Sequence, residues 1–414
     1  MKILYLVPFV PWEIRVRSFN LIPRLARRHE IYLVCVSGAE PTTEQREWLN
    51  RYCRRTMYVR HPHWRGLAQA LCALPTKTPL RMAYAHSKAA QTVVQNLYEE
   101  VRPDVVYLER WRALEFLPRK LSAPIVCDPT DSMMLYNRRL MERGAWWEKV
   151  VGWEEYTKFR REEGELAGRA DAVVFCSRVD LDCVRRQAPG VRYTIVPNGV
   201  DCDRYWFKSP RDENPAQIVF TGSLKYRPNR HAVEFFLRGI FPEVRKSVPD
   251  ATFLVVGNGA PKALTRFRDM PGVHVLDFVP DLRPYLAQAT VAVAPLTIGA
   301  GVSNKLGEGF AVGTPVVATP LACGDLPVQS GDQLLIAENP EQFTAHVVTL
   351  LKDPDQRRQI AARARRFVQH YDWGVIAARM EDLLRDIAGL PADPSKDPLV
   401  PAEMVLPNSD CFAS

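Results

Sequence analysis

One rhythm, which runs through the chain twice, constrains the fold more than any other feature. Short runs rich in Val, Ile and Leu alternate with longer amphipathic stretches, the pattern of parallel strands joined by crossover helices. In the first half it predicts strands over residues 2–7, 31–36, 105–108, 124–127, 172–175 and 193–196, and helices over 17–28, 86–101 and 147–166. Pro197-Asn-Gly-Val-Asp201 then stops the last strand with turn chemistry, and a polar, Pro-containing stretch follows to Pro215. A second set predicts strands over 218–221, 251–256, 273–276, 291–294, 315–318 and 333–336, and helices over 229–237, 302–312, 341–352 and 354–370.

The expected fold is therefore α/β, with two Rossmann-like doubly wound domains. The expected boundaries are 1–197, 198–370, a helix over 371–390 returning to the first domain, and a flexible tail over 391–414 with five prolines after residue 390. A chain of 414 residues exceeds one ordinary core, which agrees. Ligands in this architecture bind beyond the carboxyl ends of the strands, so a cleft between the two halves is the expected site.

Composition narrows the setting. With 47% hydrophobic and 25% charged residues the chain reads as globular. Residues 1–10 carry one positive charge and an apolar run too short for a signal peptide, and no stretch reaches the roughly 18 apolar residues of a membrane span. Nine cysteines without metal spacing fit reduced thiols in the cytoplasm, with no disulfide and no zinc. His61-Pro-His63 lacks a partnering carboxylate or thiol, so no metal is expected there. The net charge is +8, with Arg24, Arg27, Arg28, Arg51, Arg54 and Arg55 conspicuous. No nucleic-acid motif accompanies this surplus, which leaves peripheral contact with an anionic membrane or a solvated face. Trp146, Trp147 and Trp153 read as packing residues or as a platform for a lipid acceptor.

The segment richest in chemistry runs from Ile298 to Thr319. Gly299, Ala300 and Gly301 follow a strand, and a helix is predicted to begin at Val302. Such a turn offers backbone N–H groups at the positive end of a helix dipole, where phosphate binds. Lys305 adds a full charge in the first turn, and Glu308, three residues later, shares its face and suits a pair of ribose hydroxyls. Gly307 and Gly309 each cost a helix about 1 kcal/mol, which predicts a backbone or a ligand against them. Val256-Gly-Asn-Gly-Ala260 looks like a dinucleotide turn, but Lys262 stands where a third glycine belongs, which argues against a dehydrogenase.

The run Asn304-Lys-Leu-Gly-Glu-Gly-Phe-Ala-Val-Gly-Thr-Pro-Val-Val-Ala318 resembles the donor-binding signature of retaining GT-B glycosyltransferases of family 4. Asn198-Gly-Val-Asp201, Phe220-Thr-Gly222, Val256-Gly257 and Phe278-Val279 occur in the family's order. Arg15-Val-Arg-Ser-Phe19, Arg28-His-Glu30 and Thr221-Gly-Ser-Leu224 resemble sugar transferases of exopolysaccharide clusters. The resemblance implies a hexosyltransferase needing no cofactor, with a nucleotide-diphosphate sugar as donor and a glycan or lipid-linked acceptor. It places the donor diphosphate on Lys305 and the backbone of Val302 and Ser303, beside Asn304. It places the ribose on Glu308, the nucleobase near Phe278, Val279 and Pro280, and a phosphate approach over Gly222. It also implies that the leaving phosphate takes the acceptor proton, without paired catalytic carboxylates.

Three departures stand out. Ala300 replaces a glutamate of the family pattern. Gly222-Ser223 and Pro228-Asn229 replace a Gly-Arg and Lys-Gly pair, leaving Lys225 or Arg227 to supply positive charge. The first loop lacks its usual diglycine, so Arg15 or Arg17 is expected to approach the sugar. Cys127-Asp-Pro-Thr-Asp-Ser132 occupies the region where relatives carry a histidine, so Asp128, Asp131 and Ser132 are expected near sugar, with Asp131 and Ser132 as catalytic candidates. A sugar-nucleotide epimerase and a non-catalytic nucleotide-sugar-binding partner are the alternatives.

Overall fold

The computed structural model describes residues 1–391 except 14, 119–120, 144–145, 210–212, 260–261, 263 and 299–303. Gly299, Ala300, Gly301, Val302 and Ser303, and all but the first residue of the expected tail, lie outside the described residues.

Among the described residues the chain forms two compact units, Met1–Asn198 with the chain from Trp373 onward, and Gly199–Asp372. The first is built on β1 (Lys2–Val7), β2 (Glu30–Ser37), β3 (Arg55–Arg60), β4 (Val105–Glu109), β5 (Ile125–Thr130), β6 (Ala172–Phe175) and β7 (Arg192–Ile195). They pair in parallel in the order β3-β2-β1-β4-β5-β6-β7. The second uses β8 (Gln217–Thr221), β9 (Thr252–Val256), β10 (Val273–Leu276), β11 (Val291–Ala294), β12 (Val316–Ala318) and β13 (Leu335–Ile336). Their parallel order is β10-β9-β8-β11-β12-β13.

Helices on both faces explain the near-continuous apolar strands. In β1 the two-residue period sends Leu4 and Leu6 into one core with Val94 and Leu97, and Ile3, Tyr5 and Val7 into another with Leu21, Leu25 and Met380. The helix Trp373–Ile387 reaches that second core and packs on the helix Val16–Leu25. In β8, Ile218 and Phe220 face one core and Val219 the other.

β3 is absent from the expected strands because it has no apolar run: its sequence is Arg-Thr-Met-Tyr-Val-Arg and it lies at the sheet edge with mostly half-buried side chains. Each sheet reverses its strand order at one place, between β1 and β4 in the first unit and between β8 and β11 in the second. Crossovers leave these neighbours in opposite directions, which opens a crevice at their carboxyl ends.

Candidate active site

In the second unit the crevice gathers residues far apart in sequence. Lys305, in the first turn of the helix Asn304–Val312, donates from Nζ to Asn229 Oδ1 at 2.9 Å, and its ammonium lies 5.1 Å from the centre of the Phe220 ring. Asn229 sits in the first turn of the helix Arg227–Gly239 and donates from Nδ2 to the Ser223 carbonyl at 2.9 Å. Gly222 follows β8 with φ +137, and a Cβ there would meet Asn229 Nδ2 at 2.8 Å and Lys305 Nζ at 3.0 Å. Behind it, a Cβ on Gly257 would lie 2.0 Å from the Gly222 carbonyl oxygen, so the two strand-end loops touch backbone to backbone. Glycine is required at both positions.

Lys305 and Glu308 are both half-buried. Surrounding protein disfavours the ammonium and lowers Lys305 to about 8, with Glu308 acting through space in the opposite sense. The same burial raises Glu308, opposed by Lys305 and by a hydrogen bond from Tyr205. An ammonium at the positive end of a helix dipole, stripped of part of its water, is a charge awaiting an anion. Lys225 is exposed, its stem against Gly259, and Arg227 opens its helix half-buried. Phe278 follows β10 and is 67% exposed, with Val279 half-buried and Pro280 exposed beside it.

What lies against the two helix glycines differs from the expectation. The Val316 side chain fills the space at Gly309, and Val200 is in ordinary contact distance of Gly307. Close packing therefore accounts for Gly309, whereas a Cβ would fit at Gly307.

In the first unit three of the expected sugar contacts prove to be internal. Arg17 and Asp128 are 3% and 0% exposed and form an ion pair from Nε to Oδ2, to which the Tyr107 hydroxyl also donates. Arg17 Nη1 turns to the Pro197 carbonyl at 3.3 Å and Asn198 Oδ1 at 3.2 Å. Ser132 is fully buried, donates to Glu163 Oε2 at 2.9 Å and accepts from the Leu135 amide, capping the helix Met133–Arg143. Its hydroxyl has no path to a sugar, and Arg17 and Asp128 are equally enclosed. Asp131, by contrast, is partly accessible and pairs with Arg110 at 3.3 Å, and Arg15 is exposed with its guanidinium 4.6 Å from the Phe9 ring centre.

Residues 15–204 match the family described as Glycosyltransferase Family 4, and residues 215–353 match Glycosyl transferases group 1. The chain belongs to glycosyltransferase family 4. Over 224 residues, 50% of this chain and 58% of the relative, it is 28% identical to the phosphatidyl-myo-inositol mannosyltransferase of Mycobacterium tuberculosis. The match thus spans little more than half the length of that protein. It is 19% identical over 353 residues, 83% of this chain and 88% of the other, to an uncharacterized 44.6 kDa protein in the cps region of Klebsiella pneumoniae. The fold is that of sucrose-phosphate synthase from Thermosynechococcus elongatus, with TM-score 0.67 at 15% identity over 94% of this chain and all of that one. Anabaena Alr3699/HepE in complex with UDP-glucose is similar, with TM-score 0.64 at 17% identity over 93% of this chain and all of that one. The architecture is GT-B.

Two residues of this crevice escaped sequence reasoning as individuals. Asn229 is 7% exposed yet polar at a helix start after Pro228, and that combination was its signal. Tyr205, from the loop after β7, reaches Glu308, and nothing in its sequence surroundings marks it. Among the described residues no group of three His, Cys, Asp or Glu side chains is arranged to hold a metal. His61 and His63 bond instead to the Tyr84 carbonyl at 2.7 Å and hydroxyl at 2.6 Å.

Proposed function

We propose that this family 4 chain transfers a sugar, with retention, from a nucleotide-diphosphate sugar to a hydroxyl of a lipid-linked saccharide or glycolipid precursor. The observation that carries the reading is the half-buried Lys305, held by Asn229 over Gly222 at the crevice of the second sheet. Cleaving a sugar–diphosphate bond builds negative charge on the leaving oxygens, and a preorganised cation there lowers the barrier most. Lys305 takes that role. Glu308, oriented by Tyr205, receives the ribose hydroxyls, Phe278 to Pro280 border the base, and the departing phosphate accepts the acceptor proton.

A peripheral place at the cytoplasmic face of a membrane belongs to the same proposal. Among the described residues no helix is long and apolar enough to cross a bilayer. The first unit nevertheless exposes Trp64, Leu67, Leu71 and Leu74 along the helix His63–Cys72 and its end, at 66%, 59%, 66% and 49%. On the helix Trp146–Ala167, Trp146, Trp147 and Trp153 are 79%, 56% and 60% exposed, so the packing alternative fails for them and the lipid platform is the better reading. Lys158 of this helix donates to the Ala73 carbonyl at 2.8 Å, which ties it to the end of the other helix. Such faces suit the headgroup boundary of a bilayer. The relatives named as mannosyltransferases of phosphatidylinositol, and the neighbour holding UDP-glucose, are in keeping with this assignment.

A thermal-shift screen of UDP-, GDP-, ADP- and dTDP-sugars tests the donor, since a ligand at a hundred times its dissociation constant adds about 2.7 kcal/mol of stability. Incubation of the stabilising donor with membrane extract then tests transfer. Stabilisation by none of them, with no sugar moved, would end the proposal.

A further inference from the structure

Four arginines crowd the other crevice, at the carboxyl ends of β1 and β4. Arg110 leaves β4 with φ +76, a conformation rare outside glycine, and is fixed by its amide on the Asp128 carbonyl at 2.8 Å and by Nη1 on Asp131 at 3.3 Å. Two residues on, Arg112 is half-buried in the short helix Trp111–Phe116, which Trp111 pins by donating to Glu163 at 2.9 Å. The helix Leu80–Ala85 packs on this element and carries Arg81, whose amide donates to Glu155 at 3.0 Å. Arg15 follows β1 on the other side of the crevice.

The charges around Arg112 do not balance. Burial, and then repulsion from Arg81, Arg110 and Arg15, lower it to about 10, with Tyr84 opposing. Arg15, although its side chain reaches solvent, is lowered by the protein around it and by Arg110, opposed by Glu109. Arg110 is itself raised, its burial outweighed by Asp131 and Glu109, and the Arg81 guanidinium lies 5.4 Å from the Tyr136 ring centre. The imbalance therefore falls on Arg112 and Arg15, and Glu109, buried on Tyr5, is pushed up to about 7, which weakens it as a counter-charge for them. Backbone strain and unbalanced like charge in one crevice mark a place held for a ligand rather than for stability.

We infer that Arg15, Arg81, Arg110 and Arg112 form an oxyanion site that holds a phosphoryl or carboxylate group of the acceptor. The inference rests on the transfer reading above, which supplies an acceptor. Planar guanidinium forks match both oxyanions, and Asp131 then acts by orienting Arg110 rather than by touching sugar.

The test uses the full chain carrying Lys305→Ala, which removes the cation of the second unit. Inorganic phosphate and glucuronate are titrated separately by calorimetry. One or both bind, and affinity falls at least about tenfold in Arg112→Gln and in Arg15→Gln, with partial recovery in Arg112→Lys. The melting temperature of Arg112→Gln holds or rises, because removing one of four like charges relieves repulsion; a structural arginine would lower it. Binding of phosphate alone assigns a phosphoryl group, and of glucuronate alone a carboxylate. Binding of neither anion, affinity indifferent to both substitutions, or a melting temperature that falls with Arg112→Gln overturns the site. Nucleotide-sugar binding by the parent chain is measured alongside, so failure of the transfer reading shows separately.

Discussion

The two units share one strand order, extended by a seventh strand in the first, around the same kind of crevice, yet they use polar residues there in opposite ways. In the first, Arg17, Asp128 and Tyr107 close on one another below the surface, and Ser132 closes on Glu163. In the second, Lys305 and Glu308 stay half-accessible, each held by a neighbour, Asn229 or Tyr205, that leaves the charge available. A strand-end carboxylate is thus no sign of a sugar contact by itself. What separates a scaffold from a site is whether the partners enclose the charge or only aim it.

The sharpest way to break this comparison is to remove Arg17. With Arg17→Ala, Asp128 remains as a buried carboxylate without its cation, and breaking such a pair costs about 3–5 kcal/mol. Chemical denaturation should show that loss, with donor binding by the surviving folded fraction unchanged. A stable Arg17→Ala protein with weak sugar transfer would return Arg17 to the acceptor site.

Lys305→Ala should do the reverse, leaving stability nearly intact and lowering kcat as well as raising KM, by roughly a hundredfold in kcat/KM or about 3 kcal/mol. Its pH signature is specific. Folded Lys305 titrates near 8 against an ordinary 10.5, so between those values the unfolded chain holds more protons and Lys305 makes stability rise with pH. Over the same window the charge offered to a diphosphate disappears. Donor affinity should therefore fall as pH passes about 8 in the parent chain and stay flatter in Lys305→Ala. Identical pH profiles in calorimetric titrations would detach the diphosphate from Lys305.

How much of this was legible in the sequence follows the physics of each residue. The apolar runs of β1, β4, β8 and β11 announce themselves because both faces are buried, while edge strand β3 does not. Lys305 and Glu308 could be found because helical spacing and neighbouring glycines place them locally. Asn229 and Tyr205 reach the same two side chains from elsewhere in the chain, and only the fold brings them there. The misreading of Arg17, Asp128 and Ser132 has one cause: their position at strand ends was readable, but burial, which decides their chemistry, depends on residues 107, 163 and 198.

Glu308→Gln keeps the shape of the side chain and removes its charge, so it sharpens the contrast within the second unit. A charge-assisted hydrogen bond is worth about 1.5–3 kcal/mol, which predicts donor affinity weaker by roughly tenfold or more. The melting temperature should change little, since Glu308 is half-buried and not part of the apolar core.

The smallest expected effect separates aiming from enclosing most directly. Tyr205→Phe removes the hydroxyl that bonds to Glu308 and keeps the ring packed against the apolar cluster that includes Val312 and Phe310. If Tyr205 only orients the carboxylate, the loss is that of one neutral donor to a charged acceptor in a partly wet site. That bond is present with and without the nucleotide sugar, so only the aim of the carboxylate is lost, and KM for the donor should rise by a few-fold while kcat holds, because ribose is bound alike in ground and transition states. The effect should vanish when Glu308 is already Gln, since the hydroxyl then has no charge to aim, and a double-mutant cycle reads that coupling. Independent, additive losses would mean that Tyr205 touches the donor itself.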